Sequence, residues 1–192
     1  MKRAHLLSFV LMAGCSAFLI GCQPSEEEMA TMMKQPPRPA ELDRLEAWVG
    51  TWKGDVEVTM AGSDEVHTSS GQNTTQWAAD KWMLTENWEH DMGKTDTMKG
   101  VSLMWWDGNS KKYRMSFTDN YGGHGTGSMT YNEETGVWKF KSKSKDGKSG
   151  SKTIGKGTMK FVNPSTIEWF WEEYDGTGLF KIITLKGTSR RQ

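Results

Sequence analysis

From Gly50 onward, apolar and polar residues alternate with a period of two, and the alternation restarts repeatedly until the chain ends. That period places successive side chains on opposite faces of a strand. Val56, Val58 and Met60 alternate with Asp55, Glu57 and Thr59, which predicts a first strand over 50–60. Nine more strands are predicted over 66–77, 82–90, 96–106, 111–119, 124–131, 136–144, 153–162, 165–174 and 178–189. Turn chemistry fills the breaks, as in Ala79-Asp80-Lys81, Asp107-Gly108-Asn109, Asn120-Tyr121-Gly122-Gly123, Asn163-Pro164 and Asp175-Gly176. Ahead of the strands, Leu42, Leu45 and Trp48 share one side of a short helix over 41–48. Strands joined by short connections, with no helical crossover, form an antiparallel meander. Such a meander leaves two apolar edges unless it closes. The predicted fold is therefore all-β: an up-and-down barrel of about ten strands with a short N-terminal helix. Ten strands enclose more space than side chains fill in a small eight-stranded barrel, so a ligand cavity is expected.

The first 40 residues follow a different pattern. Lys2, Arg3 and His5 precede an apolar run over 6–20, which is the length of a signal-peptide core and short of the ~20 residues a spanning helix needs. The run ends in Leu19-Ile20-Gly21-Cys22, which resembles the lipobox of bacterial lipoproteins. The resemblance implies cleavage before Cys22 and acylation of that cysteine, giving a membrane anchor of several acyl chains. Gln23 at the next position implies the periplasmic face of the outer membrane. The expected organisation is a signal peptide (1–21), a lipidated cysteine with a flexible linker (22–40) and a barrel domain (41–192). Met29, Met32 and Met33 lie in the linker without a histidine or cysteine beside them, so they read as filler rather than a copper(I) site.

Composition narrows the function classes. Removing Lys2 and Arg3 from 24 basic residues leaves 22 against 24 acidic ones, a net charge of −2 for the mature chain. Both signs are interspersed, so no electrostatic footprint for nucleic acid exists. Of the 2 cysteines, Cys15 leaves with the signal and Cys22 carries lipid, so the domain has no disulfide and no thiolate chemistry. No metal or cofactor is expected. Oligomeric state is not readable.

The stretch Leu45-Glu46-Ala47-Trp48-Val49-Gly50-Thr51-Trp52 resembles the opening of a calycin or lipocalin-like barrel, where a Gly-x-Trp follows a short helix. In that group the tryptophan plugs the closed end and a basic residue of the last strand lies over it. By resemblance, Trp52 takes the first part and Lys186, Arg190 or Arg191 the second. Gly100, Trp106-Asp107, Lys111-Lys112-Tyr113, Phe117-x-Asp119 and Lys186-x-x-x-Arg190 extend the likeness to an uncharacterised family of bacterial secreted domains in the same nitrobindin-like group. Nitrobindins hold haem through a late histidine, and this chain has none after His124, which argues against haem. Fatty-acid-binding proteins insert two helices after the first strand, for which residues 61–65 are too few.

The expected function is a membrane-anchored lipoprotein whose barrel binds a small hydrophobic or amphipathic ligand. The candidate cavity comprises Val56, Val58, Trp82, Leu84, Glu86, Trp88, Tyr113, Met115, Phe117, Trp138, Phe140, Trp169 and Trp171. A one-residue slip in any strand would invert its members. Glu86 shares a strand face with Trp82, Leu84, Trp88 and His90. It reads either as a polar anchor with a raised pKa or as half of an ion pair with a nearby lysine or arginine. Glu86 and His90 lie some 13 Å apart along a strand, too far to share a metal ion. Lys139, Lys141, Lys143 and Lys145 form a basic stripe opposite Trp138 and Phe140, read as a solvated face, with anionic head groups as the alternative. The glycine-rich stretches around His124 and over 150–157 lack the partners of an oxyanion loop or a P-loop and read as hairpins. Two alternatives stay open: an envelope lipoprotein with a packed barrel, and a hydrolase or isomerase, which would need His90 or His124 beside a carboxylate.

Overall fold

The computed structural model describes residues 25–91 and 96–192, so the lipobox and Cys22 lie outside the described residues. Two compact units divide the chain, ending and beginning at Pro37 and Arg38. In the first, the segment expected as linker carries one α-helix, α1 (Glu26–Met33), with no buried residue. Its cause is local. Ser25 Oγ accepts from the Glu28 backbone N–H at 3.1 Å, and Glu28 Oε2 accepts from the Ser25 N–H at 2.7 Å. This capping box, with three glutamates in the first turn, satisfies the helix N-terminus and its dipole.

The second unit, Arg38–Gln192, is a closed antiparallel barrel. Its strands are β1 (Gly50–Met60), β2 (Val66–Ala78), β3 (Met83–Asp91), β4 (Thr97–Asp107), β5 (Lys112–Asp119), β6 (His124–Asn132), β7 (Val137–Lys145), β8 (Lys152–Asn163), β9 (Thr166–Asp175) and β10 (Lys181–Arg191). Each strand pairs with its sequence neighbours, and β1 pairs with β10 from Trp52↔Arg191 to Met60↔Ile183. No edge remains. β10 begins three residues later than its pattern predicts. Asp175 Oδ1 accepts the N–H groups of Leu179 and Phe180 at 3.1 and 3.2 Å, which holds them in the turn.

A 3-10 helix, Ala40–Trp48, plugs one end. Leu42, Leu45 and Trp48 bury against Trp52, Leu84, Met104, Tyr113, Met129, Trp138, Met159 and Ile167. The packing is aromatic and edge-to-face: Trp48 meets Trp138 at 5.7 Å and Phe161 at 6.0 Å between centroids, and Tyr113 meets Trp138 at 4.9 Å. Hydrogen bonds tie the plug to the wall, from Tyr113 Oη to the Glu41 carbonyl at 2.7 Å and from Trp52 Nε1 to the Trp48 carbonyl at 2.9 Å.

The basic residue over Trp52 is Arg191, its guanidinium 4.3 Å from the ring centroid. Arg191 also donates to the carbonyls of Val49, Ala47 and Pro164. Of the three candidates Arg191 takes this part, and Lys186 and Arg190, also expected at barrel closure, do not. Lys186 points outward and pairs with Glu57 at 2.9 Å, and Arg190 is exposed. Register decides it: Trp52 lies opposite Arg191, so these two side chains share a barrel face and Arg190 takes the other.

Candidate functional site

The plug fixes which strand faces point inward. Leu84, Met104, Tyr113, Met129, Trp138, Met159 and Ile167 all belong to the closed-end core, and from each the two-residue period carries the inward face toward the other end. Glu86, Trp88 and His90 follow Leu84 on β3; Met115 and Phe117 follow Tyr113 on β5; Phe140 and Ser142 follow Trp138 on β7; Trp169 and Trp171 follow Ile167 on β9. Val56 and Val58 follow Trp52 on β1. Lys139, Lys141, Lys143 and Lys145 take the outward phase and are exposed.

The candidate cavity residues therefore fall at two levels. Leu84, Tyr113 and Trp138 are fully buried and form its floor, and Val56 is buried farther along β1. Val58, Glu86, Trp88, Met115, Phe117, Phe140, Trp169 and Trp171 are half-buried although they face inward. An inward side chain keeps accessible surface only if the space it faces is open, so the barrel is packed below and hollow above. Trp82 belongs to neither level, because it precedes β3 in the turn and packs against the closed-end core.

Glycines keep the upper half open. The Trp88 ring lies over Gly100, so close that a β-carbon there would stand 2.1 Å from Trp88 Cζ2. Trp171 covers Gly155 with 2.0 Å to its Cζ2, and Phe117 and Trp169 cover Gly125 and Gly187 in the same way. Each ring rests against the neighbouring strand where a glycine leaves room for it. Gly125, Gly155 and Gly157, expected to serve hairpins and bends, are among these ring seats, and Gly127 makes room for Met115.

Polar groups are set into the same wall. Glu86 Oε1 accepts from Asn73 Nδ2 at 2.6 Å and Thr75 Oγ1 at 3.3 Å. Burial pushes the Glu86 carboxyl above the usual carboxylate range, and the two hydrogen bonds oppose that only in part. The partners are neutral; among the described residues no lysine or arginine pairs with Glu86, so the ion-pair reading gives way to a hydrogen-bonded acid in the lumen wall. Trp88 Nε1 donates to Ser102 Oγ at 3.0 Å. His90 stands 5.7 Å from the Trp88 ring, and burial lowers its pKa, so it is neutral at pH 7. Nearer the mouth, Glu173 accepts from Thr153 Oγ1, which lies 2.7 Å from Ser144 Oγ. One buried hydroxyl, Ser142 Oγ, has no partner; it sits beside Trp171 over Gly155.

Sequence reading missed Asn73, Thr75, Ser102 and Ser142, since lone polar residues in a strand look solvent-facing until the register is known. The glycines of β6 and β8, spaced by two, were a signal for large side chains seated across the strand. Neither His90 nor His124 has a carboxylate within hydrogen-bond reach among the described residues; His124 is exposed beside the Gly122 carbonyl. Outside the barrel, a recess of about 450 Å3 lies across β2–β5, where Lys99 pairs with Glu89 at 3.5 Å.

No family model matches the chain, and no curated protein matches it. Among solved structures it is similar to an S-type phycobiliprotein lyase, CPES from Guillardia theta, with 12% identity over 81% of this chain and 94% of that one, at a TM-score of 0.57. It is also similar to Rv2717c from M. tuberculosis, with 10% identity over 81% of this chain and 99% of that one, at a TM-score of 0.60. These likenesses show the fold alone, a closed antiparallel barrel of this architecture.

Proposed function

We propose that the chain is a lipid-anchored envelope protein that holds a small hydrophobic or amphipathic molecule in the upper half of its barrel. The observation that carries the reading is the half-open inward face above a sealed floor. Phe117, Trp169 and Trp171 face inward yet stay accessible, each laid over a glycine. A barrel selected only for stability would fill that space, because burying apolar area contributes about 25 cal/mol per Å2. Apolar walls with a few convergent polar groups are the usual make-up of a small-molecule site.

The anchor rests on the sequence around Cys22, with residues 23–37 between it and the barrel unit. The turn between β9 and β10 stands at the open end and exposes Leu179 and Phe180, which gives an apolar cargo a greasy threshold. Titration with Nile red, a neutral apolar dye, tests the reading. Saturable binding at one dye per chain with a blue-shifted emission is expected. An emission no different from that in buffer contradicts a lumen site.

A further inference from the structure

Resting on the lumen reading, we infer that the cavity selects amphipathic molecules whose polar end is a cation or a neutral hydrogen-bond donor, and rejects carboxylates and phosphates. In the ten strands every lysine is on the outward phase; Lys53, Lys99, Lys141, Lys156 and Lys186 are examples, all exposed. Arg191, which does share the inward phase, is stacked beneath the floor on Trp52, and its N–H groups are given to backbone carbonyls. Above the floor, the ionisable groups on the inward phase are Glu86, Glu173 and the neutral His90, with Asp119, and with His67 and Asp175 at the strand ends, where His67 lies 3.7 Å from Glu65. Asp119 is not free, because its Oδ1 accepts the N–H groups of Tyr121 and Gly123 at 2.8 Å each.

Hydrogen-bonding capacity points the same way. Asn73 Nδ2 and Thr75 Oγ1 each donate to Glu86 Oε1, and Trp88 Nε1 gives its one N–H to Ser102. Trp169 Nε1 is spent on Ser189 Oγ at 3.3 Å. Glu86 Oε2 remains without a partner among the described residues, so a carboxylate oxygen is left open to a ligand's donor. An anion would face the Glu86 and Glu173 carboxylates with no lysine or arginine on the inward face above the floor, whereas an ammonium or hydroxyl finds a carboxylate oxygen ready. Aromatic faces add to the preference, since the Trp88 indole lies on the same wall as Glu86 and attracts a cation electrostatically. The second, independent sign of a ligand is Ser142. Its side chain is 2% exposed and its Oγ has no partner, and it follows Phe140 on the inward face of β7, four strands round the barrel from Glu86. A buried hydroxyl left unpaired costs roughly 1–3 kcal/mol, and a polar ligand atom reaching it would remove that cost.

The test uses the full chain and three probes that share one tail: octylammonium, octanol and octanoate, titrated at pH 7.5 with tryptophan fluorescence as the readout. Octylammonium is expected to bind about tenfold more tightly than octanoate, or better, with octanol between them. Replacing the carboxylate by Glu86→Gln is expected to bring octylammonium down to the octanol level and leave octanol unchanged. The ratio measured on the unaltered chain stands even if that variant does not fold. Octanoate binding as tightly as octylammonium overturns the inference and leaves the lumen reading intact. If none of the three perturbs the tryptophans, the lumen reading fails and the selectivity falls with it.

Discussion

Glu86 carries the clearest conflict between stability and use at the level of single residues. Its raised pKa means that the folded chain holds this proton more tightly than the unfolded chain does. Its contribution to stability is therefore fully present below about pH 4.5 and is lost as pH rises through the elevated folded value. At neutral pH an amide should be the better residue. Gln at 86 keeps an oxygen for Asn73 and Thr75 and removes the desolvated charge. Glu86→Gln is expected to raise the melting temperature at pH 7.5 by about 2–4 °C, equivalent to roughly 1 kcal/mol, and to leave it unchanged near pH 4. Thermal denaturation at the two pH values checks this. A lower melting temperature at pH 7.5 would make Glu86 a structural acid. Arg191 makes the complementary prediction at the floor. Arg191→Ala removes a cation–π contact and three carbonyl contacts and should cost about 2 kcal/mol in urea denaturation, while Lys186→Ala and Arg190→Ala should stay within about 0.5 kcal/mol.

Among the elements, the strands were legible because their pattern is local. Each predicted strand matches an observed one to within about three residues, and the closed barrel follows from short turns alone. Inward phase was legible wherever one face was clearly apolar, as in Leu84-x-Glu86-x-Trp88. It was ambiguous in β9, where both faces carry aromatics; the structure turns Trp169 and Trp171 inward and leaves Phe170 exposed. Register was not legible, and it is register that sets Arg191 rather than Arg190 over Trp52 and seats Trp88 on Gly100. Helix α1 was missed because its residues bury nothing, and the only signal was Ser25 three residues before Glu28. Ring seating gives a prediction of its own. Gly100→Ala places a methyl 2.1 Å from Trp88 Cζ2 and 2.6 Å from the Thr118 carbonyl, so the ring must swing into the lumen. The variant should lose about 1–3 kcal/mol in urea denaturation and also lose Nile red binding. An unchanged dye affinity would mean that Trp88 does not border the ligand.

For the whole molecule, the account joins a tether, a sealed floor and an open mouth. The barrel closes on itself, so its outer face is free to be charged, and β7 presents Lys139, Lys141, Lys143 and Lys145 to solvent. The anchor is a separate proposal with a separate check. Cys22→Ala should abolish incorporation of labelled palmitate and move the chain out of the membrane fraction, while the barrel keeps its melting temperature. Retention in the membrane by the variant would place the attachment elsewhere.

The central claim is that the upper barrel holds a small molecule, and native mass spectrometry of the full chain after exposure to a total bacterial lipid extract tests it most directly. The account predicts one discrete added mass per chain, reduced in Gly100→Ala and carrying an amine or a neutral polar end. A spectrum that stays at the bare protein mass across the whole extract would contradict it and leave a barrel whose hollow upper half serves something other than cargo.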